Sequence, residues 1–215
     1  MRPRSRGNAA REEGFTLIEL SVASFLSTIV LGAVVLIFNA VSQNATDASR
    51  RGDLQVQARE VVTELTSELR SAVAPRQSAT AIESLGASTL VFYSDRYEFA
   101  GPERIVYERT GCADGYCQLR VRRYAADPGS GPNWTHLTTP FNDSIVLERV
   151  VQANALFSGR AWSGTPRQRV TVPSCGGATK CAFPIVAIDL RAAVPGVSTI
   201  DGPFALFVEV NLRNA

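Results

Sequence analysis

The chain has 215 residues, of which 45% are hydrophobic and 20% charged, a composition that argues against wholesale disorder and against a multi-domain enzyme. Its 22 Lys and Arg residues against 20 Asp and Glu residues give a formal net charge of +2, too close to zero for a protein that mainly coats nucleic acid or an anionic membrane. The single histidine, His136, has no nucleophile motif beside it, so histidine-based catalysis has little support.

The first predicted element is an apolar helix over residues 15–38, in which Glu19 is the only charged residue. About 24 residues at about 1.5 Å each span roughly 36 Å, enough to cross a hydrocarbon core about 30 Å thick with some tilt. Residues 1–14 hold four arginines against two glutamates. Because basic flanks stay on the cytoplasmic side, we expect a single-pass membrane protein with residues 1–14 in the cytoplasm and residues 40–215 outside it.

A secretory signal peptide is the alternative interpretation, since residues 40–42, Ala-Val-Ser, resemble a small-residue cleavage site. The apolar run is longer than the usual signal-peptide core of about 7 to 15 residues. Glu19 would also cost about 3 kcal/mol in lipid unless it had a cationic partner. Both features favour a retained helix in which Glu19 has a function.

The stretch GFTLIE at residues 14–19, with a short basic leader before it and an apolar run after it, resembles the class III signal of type IV pilins and type II secretion pseudopilins. The resemblance implies that a prepilin peptidase cuts between Gly14 and Phe15 on the cytoplasmic side and that Phe15 is then N-methylated. Glu19 becomes the fifth residue of the mature chain.

Cleavage would create a positive amine at Phe15, and a carboxylate becomes tolerable in an apolar setting when it meets such a cation. Glu19 lies about one helical turn from its own amine, so it can meet the amine of a neighbouring, staggered helix. Small residues along the helix would allow close helix packing: Ser21, Ala23, Ser24, Ser27, Gly32 and Ala33. Leu36 stands where many major pilins have a proline, which favours a minor subunit.

The second predicted element is an amphipathic helix over residues 39–74, with apolar residues every three or four positions from Leu54 to Val73 and Pro75 as its stop. Glu60, Glu64 and Glu68 form like-charged i,i+4 pairs, so packing on a globular head, rather than surface ion pairs, should hold this helix. Gly52 is predicted to be a soft point, that is, a place where glycine weakens the helix between its membrane half and its docked half.

From residue 75 onward the hydrophobic period changes to two, which predicts strands separated by Gly, Pro, Asp and Asn clusters. The segment 144–151 could instead form a helical turn, because its apolar residues do not alternate cleanly. In the last strand we expect Phe204 and alternate residues to Leu212 on one face and Phe207 on the other. The predicted strands are 89–94, 104–109, 118–124, 144–151, 168–172, 184–190 and 204–212.

These elements predict an α+β protein of the type IV pilin-like class, in which a long N-terminal helix packs on an antiparallel sheet. The expected parts are a leader (1–14), a transmembrane and assembly helix (15–38), an amphipathic helix (39–74) and an extracytoplasmic head (75–215). The chain is also similar to PilW-like and GspJ-like minor pilins and pseudopilins. That resemblance implies a minor subunit near a fibre tip, with a prepilin peptidase, other major and minor pilins, an inner-membrane assembly platform and membrane lipid as its partners.

The four cysteines form two close pairs, Cys112 with Cys117 and Cys175 with Cys181. Thiols outside the cytoplasm usually oxidise, and four cysteines allow three connectivities. The two local disulfides are favoured because each loop can close on itself. Zinc is the alternative, but the spacings fit zinc ligand patterns poorly and no histidine is near, so we expect no metal and no cofactor.

A basic and aromatic strip occurs in the predicted strand 118–124, where Arg120, Arg122 and Tyr124 share a face and Arg123 is beside them. Such a strip could contact DNA through phosphates and stacking. Because the mature chain has no net positive charge, we favour a solvated face whose arginines pair with Glu103 or Glu108. Trp134 and Trp162 could be exposed adhesive residues, but we expect them to cover the core edge.

The sequence therefore predicts a minor pilin that helps to start or cap a type IV pilus on the cell surface and has no catalytic activity. The first alternative is a type II secretion pseudopilin. The second is a tip adhesin or DNA-uptake subunit. A secreted enzyme released after Ser42 has the least support.

Overall fold

The computed structural model describes residues 16–76, 79–172, 174–177, 180–181, 183–194 and 202–212. The chain divides into two compact units, the first ending at Ala48 and the second beginning at Ser49. The predicted processing residues Gly14 and Phe15 lie outside the described residues.

One long helix, α1, runs from Leu17 to Arg70 in the described part of the chain. It continues through Gly52 without interruption, so the predicted soft point is not a break in the helix. Its end lies five residues before Pro75, because the chain turns there to join the sheet. The Val73 amide donates to the Tyr93 carbonyl at 3.1 Å.

The described residues that follow the helix include nine antiparallel strands of one sheet, labelled β1 to β9. The prediction of an α+β chain with one long helix and an antiparallel sheet is confirmed. The strands are β1 Ile82–Leu85, β2 Thr89–Ser94, β3 Glu103–Ala113, β4 Tyr116–Tyr124, β5 Asn142–Val151, β6 Phe157–Ser163, β7 Gln168–Val172, β8 Ile185–Ala192 and β9 Phe204–Asn211.

The strands β1 to β5 pair in chain order, whereas the later strands do not. β8 pairs with β9 along its whole length, with β6 over four residues, and with β5 only at Val150 and Ala192. β7 pairs with β6. The segment after β7 then returns to β1, where Leu85 and Cys175 exchange backbone hydrogen bonds of 2.9 and 3.0 Å. An isolated bridge after β7 therefore contacts β1, at the other end of the strand order.

All seven predicted strands are present, and the ambiguous segment is strand β5, because it pairs with β4 from Asn142 to Val151. The sequence prediction missed β1 and β6. β1 has only four residues, too few to show an alternating pattern, and β6 reads FSGRAWS, in which Gly159 interrupts the apolar residues. Gly159 is needed there because a Cβ atom would lie 2.9 Å from the Phe183 ring.

The core of the second unit lies between one face of α1 and the sheet. The helix contributes a buried stripe, and the sheet contributes large side chains such as Phe92, Tyr107 and Ile188, each at most 1% exposed. Burial of a side chain of this size contributes about 1.5 to 3 kcal/mol, so packing holds this part of α1, as the like-charged glutamates suggested. The stripe is Ala58, Val61, Val62, Leu65, Glu68 and Leu69.

Candidate functional site

The first candidate site is the N-terminal part of α1. Every residue from 16 to 46 is exposed, including Leu17 at 84% and Phe38 at 70%. This stretch of the helix is long and apolar enough to cross a membrane. Apolar surface on this scale is stable only in lipid or against other apolar surfaces.

Glu19 occupies the first turn of this helix. Thr16 precedes the helix, and its Oγ1 accepts a hydrogen bond from the Glu19 amide at 3.3 Å. Thr16 and Glu19 therefore have the spacing of a capping box, and the helix dipole favours a carboxylate in the first turn. Among the described residues, none forms an ion pair with Glu19, so its side chain is open to a partner from outside the described part of this chain.

The hydroxyl groups of Ser21, Ser24 and Thr28 in the apolar helix are satisfied within the helix itself. Ser21 donates to the Leu17 carbonyl at 2.9 Å, and Ser24 donates to the Leu20 carbonyl at 2.8 Å. Thr28 donates to the Ser24 carbonyl at 2.9 Å. Because these groups need no water, they remain compatible with hydrocarbon or with a packed helix bundle.

A second cluster is buried between α1 and the sheet and includes Arg123, which is 5% exposed. Arg123 donates from Nε to Glu68 at 2.7 Å and from Nη2 to Glu64 at 2.8 Å. Tyr97 and Tyr107 donate to the Glu68 carboxylate at 2.9 and 2.7 Å. For Arg123, the favoured expectation of a solvated face and the alternative of a DNA contact are both contradicted, because its side chain points into the core and binds the helix.

Burial and Glu68 together fix the protonation of this cluster. Burial raises the pKa of Tyr97 to about 12, with Glu68 adding to the effect. Burial and Glu68 also raise the pKa of Tyr107 well above its ordinary value. Burial is the largest single effect and lowers the pKa of Arg123, but the charge and hydrogen bond of Glu68 together with Tyr107 and Tyr97 raise it by more, so the guanidinium stays charged. Both phenols thus remain donors to the carboxylate at neutral pH.

The outward face of β4 carries the other predicted contact residues. Arg120 forms two hydrogen bonds of 2.6 Å with Asp143, and Arg122 forms one of 2.5 Å with Glu108. The expected partner Glu108 is confirmed for Arg122. Glu103 is fully buried and accepts backbone hydrogen bonds from Arg96 and Tyr97 at 3.2 and 3.1 Å instead.

Tyr124 belongs to a different group on the same face. It lies in register with Arg104, whose guanidinium carbon is 5.7 Å from the centre of the Tyr124 ring. The outward face of β4 therefore carries two arginines that are paired with carboxylates and one tyrosine whose ring faces Arg104.

Both favoured disulfides are present, Cys112 with Cys117 and Cys175 with Cys181. The first spans the turn between β3 and β4, and the second holds the segment that pairs with β1. In the part of the chain that the structure describes, no group of three or more His, Cys, Asp or Glu residues could hold a metal ion.

The two tryptophans have different surroundings. Trp134 is half-buried and packs against Gly101 and Gly131, where added Cβ atoms would lie 2.4 and 2.8 Å from its ring, and the expectation that it covers the core edge stays a prediction. Trp162 is 49% exposed and lies under Arg169, whose guanidinium carbon is 5.0 Å from the ring centre. The same expectation is wrong for Trp162, because β6 extends beyond the core at that point.

A family model described as the prokaryotic N-terminal methylation motif matches residues 9–35. No curated protein and no solved structure matches the chain. The motif covers residues 9–14 of the expected leader, the expected cleavage position and the first part of α1. It supports a type IV pilin-like protein that is processed by a prepilin peptidase and assembles with other pilins.

Proposed function

We propose that the chain is a minor subunit of a type IV pilus, located in the inner membrane before assembly and in a surface fibre afterwards. The observation that carries the proposal is the methylation motif at residues 9–35, which runs directly into an exposed apolar helix. The subunit acts as a structural part and has no catalytic activity of its own. Its partners are the peptidase, other major and minor pilins and the assembly platform.

Assembly depends on the pairing of Glu19 with a neighbouring subunit. Cleavage would place a new amine at Phe15, about one helical turn before Glu19. When neighbouring subunits are staggered along the fibre, the Glu19 carboxylate of one subunit can meet the Phe15 amine of the next. A charged group placed in an apolar bundle is strongly unfavourable unless it is paired. Glu19 therefore favours only those arrangements of neighbours in which its carboxylate meets an amine.

The minor role rests on the helix sequence. Residues 17–70 contain no proline, and Leu36 stands where many major pilins have one. The helix is continuous through this position. A subunit whose helix stays continuous suits a position at the start or the cap of the fibre, rather than repeated positions along its length.

The experiment is Glu19→Ala in the native cells, with Glu60→Ala as the matched control on an exposed part of the same helix. We expect normal cleavage for both variants and at least a tenfold loss of fibre incorporation for Glu19→Ala alone. Equal incorporation of both variants would contradict the pairing. Intact mass then tests the processing: a chain that starts at methylated Phe15 supports the proposal, and one that starts at Gln43 refutes it.

A type II secretion pseudopilin is the second candidate, because the same methylation motif and helix serve both machines. Deletion of the gene separates the two functions. Loss of surface fibres with normal protein secretion supports the pilus subunit, whereas loss of secreted enzymes with normal fibres supports the pseudopilin.

A further inference from the structure

A cavity of about 540 Å³ opens on the outward face of the first four strands. Its floor is a row of three residues in register, Tyr93 of β2, Arg104 of β3 and Tyr124 of β4. A volume of this size is in the range of small-ligand sites. None of the proposed assembly functions uses this cavity.

Glu83 and Arg104 form a compact pair at the bottom of the cavity. Arg104 donates from Nε and Nη2 to the two carboxylate oxygens of Glu83 at 2.6 and 2.8 Å, and Tyr93 donates to Glu83 at 2.6 Å. Both charged side chains keep about a third of their surface open, at 30% for Arg104 and 36% for Glu83. Arg104 Nη1 has no hydrogen-bond partner among the described residues, so a donor and an acceptor are presented side by side.

Aromatic rings surround this pair. Tyr124 lies beside the Arg104 guanidinium, and Trp134 is fixed between Gly101 and Gly131. The His136 ring stacks at a tilt over Tyr93, with 5.1 Å between ring centres, and its Nε2 donates to the Pro102 carbonyl at 2.8 Å. The rings are therefore placed by backbone contacts and strand pairing before any ligand arrives.

The charges of the cavity determine which ligands it can accept. Glu83 and Arg104 compensate each other, and burial lowers the pKa of His136, which keeps its ring neutral at pH 7. An anionic ligand would meet the Glu83 carboxylate, and a cationic ligand would meet Arg104. A neutral ligand with adjacent hydroxyl groups can donate to Glu83 and accept from Arg104 at the same time, while an apolar face rests on Tyr124 or Trp134.

We propose that this cavity binds a neutral sugar residue of a glycan. Sugar hydroxyls both donate and accept, and the C–H face of a pyranose ring matches an aromatic wall. Arg76 at the rim adds one positive charge, which lies outside the compensated pair. The proposal goes beyond the structural role in the fibre and does not depend on it.

The test uses the full chain in a detergent without a sugar headgroup. Because the chain has two tryptophans, Trp162→Phe leaves Trp134 as the single indole reporter at the cavity. Maltotriose, galactotriose and chitotriose serve as neutral probes, trigalacturonate as the anionic probe, and a single-stranded thymine oligonucleotide as the nucleic-acid probe. We expect a saturable change in Trp134 emission with at least one neutral trisaccharide, with a Kd of about 1 mM or tighter.

Tyr124→Ala should weaken that binding at least tenfold, and Glu83→Gln should weaken it about fivefold, a cost of about 1 kcal/mol. Tyr116→Ala is the matched control, since Tyr116 lies on the same strand with Arg149 at 4.1 Å over its ring, outside the cavity. It should bind with unchanged affinity. Circular dichroism and thermal unfolding of each variant separate a lost contact from a lost fold.

Three results would overturn the proposal. The first is no response to any neutral trisaccharide from a folded protein. The second is tighter binding of trigalacturonate or of the oligonucleotide, which would make the ligand anionic. The third is an equal loss of affinity for Tyr124→Ala and Tyr116→Ala. Because no fibre is needed for these measurements, their failure would leave the assembly proposal unaffected.

Discussion

Arg123→Met tests the buried cluster that joins α1 to the sheet. Arg123 binds Glu68, which is fully buried, and Glu64, whose side chain is 39% exposed. Removing the guanidinium leaves the Glu68 carboxyl in the core without its cationic partner, and among the described residues only the hydroxyls of Tyr97 and Tyr107 remain as its side-chain donors. Loss of one partner from a buried pair costs about 3 to 5 kcal/mol, a large share of a typical total of about 5 to 15 kcal/mol.

The double variant Glu68→Leu with Arg123→Met removes both charges at once. Apolar replacement of a whole buried pair is often close to neutral. The remaining cost is about 1 to 3 kcal/mol for the buried hydroxyl of Tyr107, which loses its acceptor. The double variant should therefore be more stable than Arg123→Met alone. Its loss of unfolding free energy should be much smaller than the sum of the losses caused by the two single substitutions.

The assay is urea unfolding of the full chain in detergent, followed by the near-ultraviolet signal of the head. Arg122→Met is the control, since Arg122 lies next to Arg123 but pairs with Glu108 at a partly exposed site. It should cost less than about 1 kcal/mol. A loss below about 1 kcal/mol for Arg123→Met, or additive effects in the double variant, would refute the idea that the buried charges depend on each other.

Two further predictions concern the surface and alkaline pH. The double variant Arg120→Ala with Arg122→Ala should leave the salt dependence of duplex DNA binding unchanged, because both guanidiniums are already paired; a slope reduced by about two would show that they contact phosphates. The stability of the head should fall as the pH rises from about 10, the ordinary tyrosine value, through about 12, the value for folded Tyr93 and Tyr97. The folded state holds these protons more tightly than the unfolded state, so deprotonation favours unfolding. Absorbance at alkaline pH measures the tyrosine titration, and normal titration near pH 10 in the folded protein would contradict the prediction.

Several features could be predicted from the sequence because their signals are local. The apolar run of residues 15–38, the position of Glu19 and the alternation in β9 are each contained in one continuous segment. In β9, Leu206 is partly buried and Phe207 is 53% exposed, as the alternation indicated. The disulfide pairs are also local, since each joins cysteines five or six positions apart.

The role of Arg123 had a signal in the sequence that a single strand could not interpret. Val121 and Arg123 are two residues apart and therefore share the inward face of β4, whereas Arg120 and Arg122 lie on the outward face. Glu68 is on the apolar stripe of α1 between Leu65 and Leu69. Two opposite charges on two buried faces point to a buried pair, but only if the helix and strand are known to pack together.

The sequence by itself determined that a methylation motif and a long apolar helix precede an antiparallel sheet, because hydrophobic period and motif spacing are properties of neighbouring residues. The tertiary structure alone decided that α1 is tied to β4 through Arg123, that Cys175 pairs with Leu85 of β1, and that Glu83 and Tyr124 meet in one cavity. Each of these contacts joins residues at least 41 positions apart. Such contacts depend on strand order and register, which follow from how the whole core packs rather than from any single segment.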